Sequence, residues 1–272
     1  MSTEFDRLDT AVRAIERRGP ETLAVAVHAP GEGRYGHHER TELPLASAGK
    51  LALLAELGRA LEQGELTEST PVPIEPGDRC GGTGLLQHLA AGSYSLGDLA
   101  LFTASVSDNI ATNALLRVLG IEAVNRTADR LGLTATRLLD RIRDVRGPGT
   151  APTFALGTAA DLALLAARVA ENGFPGAARV LRWMRTNTDH DLVPALLPHD
   201  PYQERPSPGI IWIANKTGTD DGVRADVGVM HSANRIAYAV LAVGEPGTEP
   251  GLVASARQAG LAIARHAAGW VG

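Results

Sequence analysis

Residues 22–29, TLAVAVHA, form a short apolar, valine-rich run that predicts a strand, and GEGRYGHHERTEL (31–43) follows as a glycine turn and a second, polar strand. The pattern then changes period. In SAGKLALLAELGRALEQG (47–64) apolar residues recur at three and four, which predicts a helix ending near Gly64. TESTPVPIEPGDRCGGTG (67–84) is rich in proline and glycine and reads as turns. From 85 to about 197 the chain is mostly helical. SLGDLALFTA opens on Ser95 with Asp98 three residues on, a capping-box variant, and DNIATNALLRVLG, IEAVNRTADRLG and TAADLALLAARVAENG each end on glycine, as helices often do. Near 209 the period returns to that of strands. GIIWIANKTG, VRADVGVMHS and RIAYAVLAVG read as an antiparallel meander, and GLVASARQAGLAIARHAAGW (251–270) as a closing amphipathic helix.

Segregated strands and helices predict an α+β fold rather than alternating βαβ units. Both ends of the chain, 1–45 and 205–272, are expected to build one antiparallel sheet with flanking helices, an α/β sandwich domain. Residues 46–204 are expected to form an all-α domain inserted between them. No internal repeat or low-complexity segment interrupts this order.

Composition narrows the function classes. The chain has 272 residues, 44% hydrophobic and 21% charged, with a net charge of -5, a globular composition with room for a sizeable core. It holds no basic block, so nucleic acid is a poor partner. No run of about 18 apolar residues marks a membrane span. The N-terminal stretch MSTEFDRLDTAVRAIERRGP lacks an apolar signal region, so a cytoplasmic location is expected. Cys80 is the single cysteine and excludes an internal disulfide.

One compositional oddity points to chemistry. Of 26 basic residues only Lys50 and Lys216 are lysine. Arginine cannot give up its proton in a protein, whereas a buried lysine can. Lys50 closes the motif Ser47-Ala48-Gly49-Lys50 at a predicted helix start, and residues three apart share a helix face. A serine beside a lysine base becomes a nucleophile when burial or a second cation lowers the lysine pKa. A second motif, Ser107-Asp108-Asn109, sits where a helix begins. Asp108 reads as a cap, Ser107 as a proton relay to a leaving nitrogen, and Asn109 as a hydrogen-bond partner for a substrate amide and for the Lys50 amine. The third motif is Lys216-Thr217-Gly218-Thr219, at the end of an apolar strand. Lys216 and Thr217 would attract a substrate carboxylate, Gly218 would let a substrate backbone approach the strand edge, and the N–H groups of Thr219 and Ser47 would form an oxyanion hole. Arg224 on the next strand would add a second carboxylate clamp.

The set S-x-x-K, S-D-N and K-T-G, in this order and in these contexts, resembles the class A β-lactamase and penicillin-binding serine hydrolases, over essentially the whole chain. YSLGDLALFTASVSDNIATNALLRVLG, NKTGTDDGVRADVGV and GGTGLLQHL carry the likeness. The resemblance implies a site between the sandwich and helical domains, no cofactor, and a small-molecule substrate, a β-lactam or a related amide or ester. Ser107-x-Asn109, in place of Tyr-x-Asn, points away from class C enzymes and glutaminases. One departure stands out. Class A enzymes place a glutamate, which positions the deacylating water, in a loop after this helix, yet residues 123–170 contain no glutamate. In TRLLDRIRDVRGPGTAPT (136–153), Asp144 lies near the expected spacing with Asp140 upstream, its carboxylate set back by about 1.5 Å. Asp144 is thus a candidate deacylation base, or a partner of Arg141, Arg143 or Arg146. A hydrolase, a penicillin-binding-like protein with a persistent acyl-enzyme, a biosynthetic amidase, esterase or acyl-transferase, and a non-catalytic use of the fold all remain open. Cys80 lacks a nucleophile signature, and the His37-His38 pair and the histidines at 190 and 199 lack metal-ligand spacing, so no metal is expected.

Overall fold

A computed structural model describes residues 5–19, 22–202 and 209–267; the expected domain boundary at 204/205 and the last residues of the expected C-terminal helix lie outside them. Helix α1 (Asp6–Glu16) precedes strands β1 (Thr22–Ala29), β2 (Gly33–His37) and the short β3 (Leu43–Pro44). Helix α2 (Lys50–Glu62) leads to β4 (Pro71–Pro73), β5 (Ser93–Ser95), α3 (Leu96–Ser105), α4 (Asn109–Leu119) and α5 (Ile121–Arg130). After β6 (Arg137–Leu138) and β7 (Ala155–Gly157) come α6 (Ala159–Ala170) and α7 (Ala177–Met184). The chain returns through β8 (Trp212–Asp220), β9 (Val223–His231) and β10 (Arg235–Val243) to α8 (Glu249–Ala267).

The meander and the N-terminal hairpin join in one antiparallel sheet of order β2-β1-β10-β9-β8, which makes β8 an edge strand. Both faces are covered, so the strands read as continuous apolar runs instead of alternating with polar residues. A finer alternation divides the faces. Leu23, Val25 and Val27 of β1, with Ile236, Tyr238 and Val240 of β10, pack under α1 and α8. Ala24, Ala26, Ala237 and Ala239 face the other way, where α6 crosses β1 and β10. Small side chains there let a helix approach the sheet closely. Helices α2 to α7 and this alanine face share one apolar cluster, so the helical stretch and the sheet are packed as one body.

Helix starts follow local chemistry. Ser95 caps α3 as its sequence suggests: Ser95 Oγ accepts the Asp98 N–H at 3.0 Å and Asp98 Oδ2 accepts the Ser95 N–H at 3.2 Å. Helix α2 is buried on nearly every side, from Lys50 through Gly58, and forms the axis of the helical layer. Two features were not legible as periodic patterns. The pairing of β6 with β7 closes the neck of the loop 139–154, and β4 with β5 closes the segment 74–92. These two loops are the flanks of the candidate site.

Candidate active site

Ser47 does not lie on α2 itself but on a tight 3-10 turn, Ala46–Gly49, that runs into it, and the Lys50 N–H donates to the Ser47 carbonyl. Ala46 takes a left-handed φ of 45°, uncommon for a residue with a Cβ and a form of local strain found at functional turns. The turn abuts the edge of β8 at Gly218. A Cβ on Gly218 would lie 2.5 Å from the Leu45 carbonyl oxygen, 2.6 Å from Ala48 N and 3.1 Å from Ser47 N. The glycine is thus required by the backbone of the turn that carries Ser47, a closer constraint than the substrate approach expected from sequence. Thr219 follows on the same edge strand, paired with Arg224.

Three chain segments meet at two buried lysine amines. Lys50 and Lys216 are both 0% exposed. Lys50 Nζ donates to the Ser107 carbonyl at 2.6 Å, to Asn109 Oδ1 at 2.8 Å and to Ser107 Oγ at 3.1 Å. Lys216 Nζ reaches the same Ser107 Oγ at 3.1 Å, and the Thr217 carbonyl at 2.8 Å. Ser107 carries a left-handed φ of 55°, which turns its carbonyl and hydroxyl toward Lys50 together. A serine hydroxyl has two acceptor sites and one hydrogen. With both acceptor sites filled by lysines, the hydrogen is what Ser107 has left to give. Burial, and then repulsion from Lys216, hold the Lys50 pKa well below the ordinary lysine value, against the opposing pull of Asp108 and Cys80. Burial likewise lowers Lys216, to about 8, with Asp189 and Asp226 opposing. Both routes to a lowered lysine pKa that the sequence suggested, burial and a second cation, operate here. The Lys50 amine makes no hydrogen bond to the Ser47 hydroxyl in this arrangement; the two residues are linked through the backbone of the shared turn.

Asp108 caps α4, accepting the Ala111 N–H at 2.9 Å, and it does more. Its other oxygen accepts the Leu85 and Leu86 N–H groups at 2.7 and 2.8 Å, which pins the GGTGLL segment over the motif. Gly84, with φ 121°, passes so close that a Cβ would fall 2.3 Å from Asp108 Oδ2. Thr83, which sequence reading missed, donates its hydroxyl to the Ser107 carbonyl at 2.8 Å. Asn109 binds Lys50 as expected, while its amide Nδ2 donates to the Gly81 carbonyl at 2.9 Å.

Asn113, a second residue missed from sequence, fastens the loop 139–154. It accepts the Ile142 N–H at 2.8 Å and donates to the Ile142 carbonyl at 3.0 Å. The half-buried Ile142 side chain packs against the core. Asp140, not Asp144, is the arginine partner: it binds Arg143 at 2.6 Å and Arg146 at 3.0 Å. Asp144 is exposed, and its Oδ1 accepts the Gly81 N–H at 2.6 Å, a link between the two flanking loops.

On the β8 side, the Thr217 hydroxyl donates to Asp189 Oδ2 at 2.7 Å. Arg224 Nη1 donates to the carbonyls of Asp220 and Val223, both at 2.7 Å, at the end of the β8–β9 hairpin. Behind Lys216, the buried Asp226 accepts from Asn215 Nδ2 at 3.0 Å, the Val193 N–H at 3.1 Å and the Tyr238 hydroxyl at 3.1 Å. Burial pushes Asp226 up to about 7 despite these donors. An acid inside the apolar run VRADVGVM is the sequence signal that could have found it.

The remaining candidates separate from the site. Burial and the nearby Asp144 raise the Cys80 thiol to about 11, which suits an inert thiol rather than a nucleophile. His37 and His38 meet Glu16 at 2.8 and 3.3 Å, and these three could hold a metal ion. His37 is the last residue of β2, at the opposite edge of the sheet from β8, and Glu16 ends α1. Among the described residues, no helix is long and apolar enough to cross a membrane.

Comparison with known proteins bears on the fold and the family. Among curated relatives, the β-lactamases CARB-4 and PSE-4 of Pseudomonas aeruginosa are 27% and 28% identical to the chain over 143 residues, 52% of it. That match spans about half of each relative's length, 49%. Among solved structures, a β-lactamase from Sphaerobacter thermophilus superposes with a TM-score of 0.86 at 24% identity, covering 98% of both chains. PBP-A superposes with a TM-score of 0.81 at 21% identity, covering 95% of this chain and 94% of its own. At such identities the structural likeness establishes the β-lactamase fold. The family model described as "Beta-lactamase enzyme family" matches residues 7–267, nearly the whole chain, and the chain belongs to that family.

Proposed function

We propose that this protein is a serine hydrolase that acylates Ser47 with a β-lactam or a related amide or ester. The observation that carries the proposal is the pair of buried lysines converging on one serine hydroxyl, Ser107 Oγ, with Lys50 one turn after Ser47. Neutral Lys50 takes the Ser47 proton as Ser47 Oγ bonds to the acyl carbon. The N–H groups of Ser47 and Thr219 hold the oxyanion. The C–N or C–O bond then breaks, Ser107 gives its proton to the leaving atom, and Lys50 restores that proton through the 3.1 Å hydrogen bond. The enzyme returns to its starting protonation, one acyl group heavier.

A specific observation favours slow release of that group. In the loop 139–154 the carboxylate of Asp140 is bound by two arginines, that of Asp144 is bound by Gly81, and the residue clamped by Asn113 is an isoleucine. A point mutant of the structural neighbour PBP-A has been solved as an acyl-enzyme complex with penicillin-G. The second reading is therefore a penicillin-binding-like protein with a persistent acyl-enzyme. Incubation with nitrocefin and with a fluorescent penicillin, followed by turnover and intact mass together, tests both. Turnover supports the hydrolase, and a stable adduct on Ser47 supports the second reading. No adduct and no turnover, with a panel of activated esters and amides also inert, would remove acyl chemistry.

A further inference from the structure

The three groups that should bind a substrate carboxylate are each already engaged. Thr217 has one hydroxyl hydrogen, and it goes to Asp189 Oδ2 at 2.7 Å. Arg224 is turned to the hairpin carbonyls of Asp220 and Val223. Lys216 spends two of its three donors on Ser107 Oγ and the Thr217 carbonyl, and its charge is countered by Asp189 and Asp226. Asp189 is a built part of this wall rather than a passing surface acid. Its Oδ1 accepts the Asp191 N–H at 3.2 Å, its carbonyl accepts Asn187 Nδ2 at 2.8 Å, and its N–H reaches Asn187 Oδ1 at 3.3 Å. Asn187 is itself buried and tied to Asn215, the residue before Lys216, at 2.9 Å.

We propose that Asp189 makes this end of the cleft reject acyl donors with a carboxylate beside the scissile carbonyl, and that the substrate there is an uncharged amide or ester. The proposal rests on the acyl-transfer reading above and narrows its substrate class. Asp189 already offers Thr217 the anionic oxygen that a substrate carboxylate would bring. A donor carrying that carboxylate must displace Asp189 from the hydroxyl and then sit beside a like charge. Two unit charges about 5 Å apart repel by an amount worth roughly 4-fold at the dielectric of water and roughly 300-fold at the effective value near a protein surface. Asp189 is half-buried, so the expected penalty lies between these limits, on the order of 10- to 100-fold.

A chromogenic cephalosporin and its methyl ester differ only in the carboxylate, and they supply the test. The second-order rate of Ser47 acylation is measured for both, by absorbance and intact mass. The wild-type protein is expected to prefer the methyl ester by roughly 10-fold or more, and raising the salt to about 1 M should narrow the preference by screening. In Asp189→Asn, and in Asp189→Ser as a second variant, the ratio of free-acid to ester rates should rise roughly 10- to 100-fold and lose its salt dependence. A wild-type protein that prefers the free acid, or variants with an unchanged ratio, would overturn the role of Asp189 while leaving the hydrolase reading intact. Absence of acylation by either compound and by neutral activated esters would instead remove the hydrolase reading and this inference with it.

Discussion

Gly218→Ala tests how tightly the Ser47 turn is fitted against the edge strand. The added Cβ would fall 2.5 Å from the Leu45 carbonyl oxygen and 2.6 Å from Ala48 N. Both are backbone atoms of the turn that carries Ser47, so neither can rotate away. Ordinary carbon contacts to such atoms begin above 3.0 Å, and real Cβ atoms essentially never come closer. The turn or β8 must therefore move by at least half an ångström, on the order of 0.5–1 Å. A displacement of about 1 Å at a reacting group costs on the order of 100-fold in rate. Overpacking of this kind also costs about 1–3 kcal/mol of stability. The assay pairs the rate of Ser47 adduct formation, by intact mass, with a urea-denaturation midpoint. Gly92→Ala is the control, because a Cβ there meets nothing within 4 Å. Adduct formation and stability in Gly218→Ala within twofold and 0.5 kcal/mol of the control, roughly the scatter of a neutral surface change, would refute the close fit.

The other predictions concern charge. Lys50→Arg keeps the cation but removes a group able to lose its proton, so acylation should fall roughly 1,000-fold; an active arginine variant would show that Lys50 is not the base. Asp144→Asn can still accept the Gly81 N–H, and is expected to leave adduct lifetime within about twofold, as measured by the decay of adduct mass. A long-lived adduct in that variant would instead identify Asp144 as the base in deacylation. Asp226 titrates near 7 when folded against an ordinary 3.8, because burial penalises its charge. Between these values the folded state holds a proton that the unfolded state has released. Stability from this group is thus fully present below about pH 4 and is lost as pH rises through 7. Asp226→Asn should remove that slope, which amounts to a few kcal/mol at most. Urea midpoints at pH 4.5 and pH 8 measure it, and a variant as pH-dependent as the wild type would contradict the assignment.

By itself the sequence determined the main strands and helices and the chemical cast. Strand runs, helix periods and the Ser95 cap are local, set by burial at fixed spacing and by hydrogen bonds reaching three residues, so they can be read along the chain. The restriction of lysine to positions 50 and 216 is likewise legible along the chain, because a buried lysine can lose its proton and an arginine cannot. The tertiary structure decided which polar groups meet. Lys50 and Ser107 are 57 positions apart and Lys216 and Ser107 are 109 apart, and no periodicity specifies such a pairing. It also assigned Arg143 to Asp140 instead of Asp144, the Thr217 hydroxyl to Asp189, and the space at Gly218 to the turn that carries Ser47. Hydrophobic pattern records which side of an element is buried. Inside that buried space each donor must find an acceptor, and which one it finds depends on side-chain directions and distances that only the folded chain possesses.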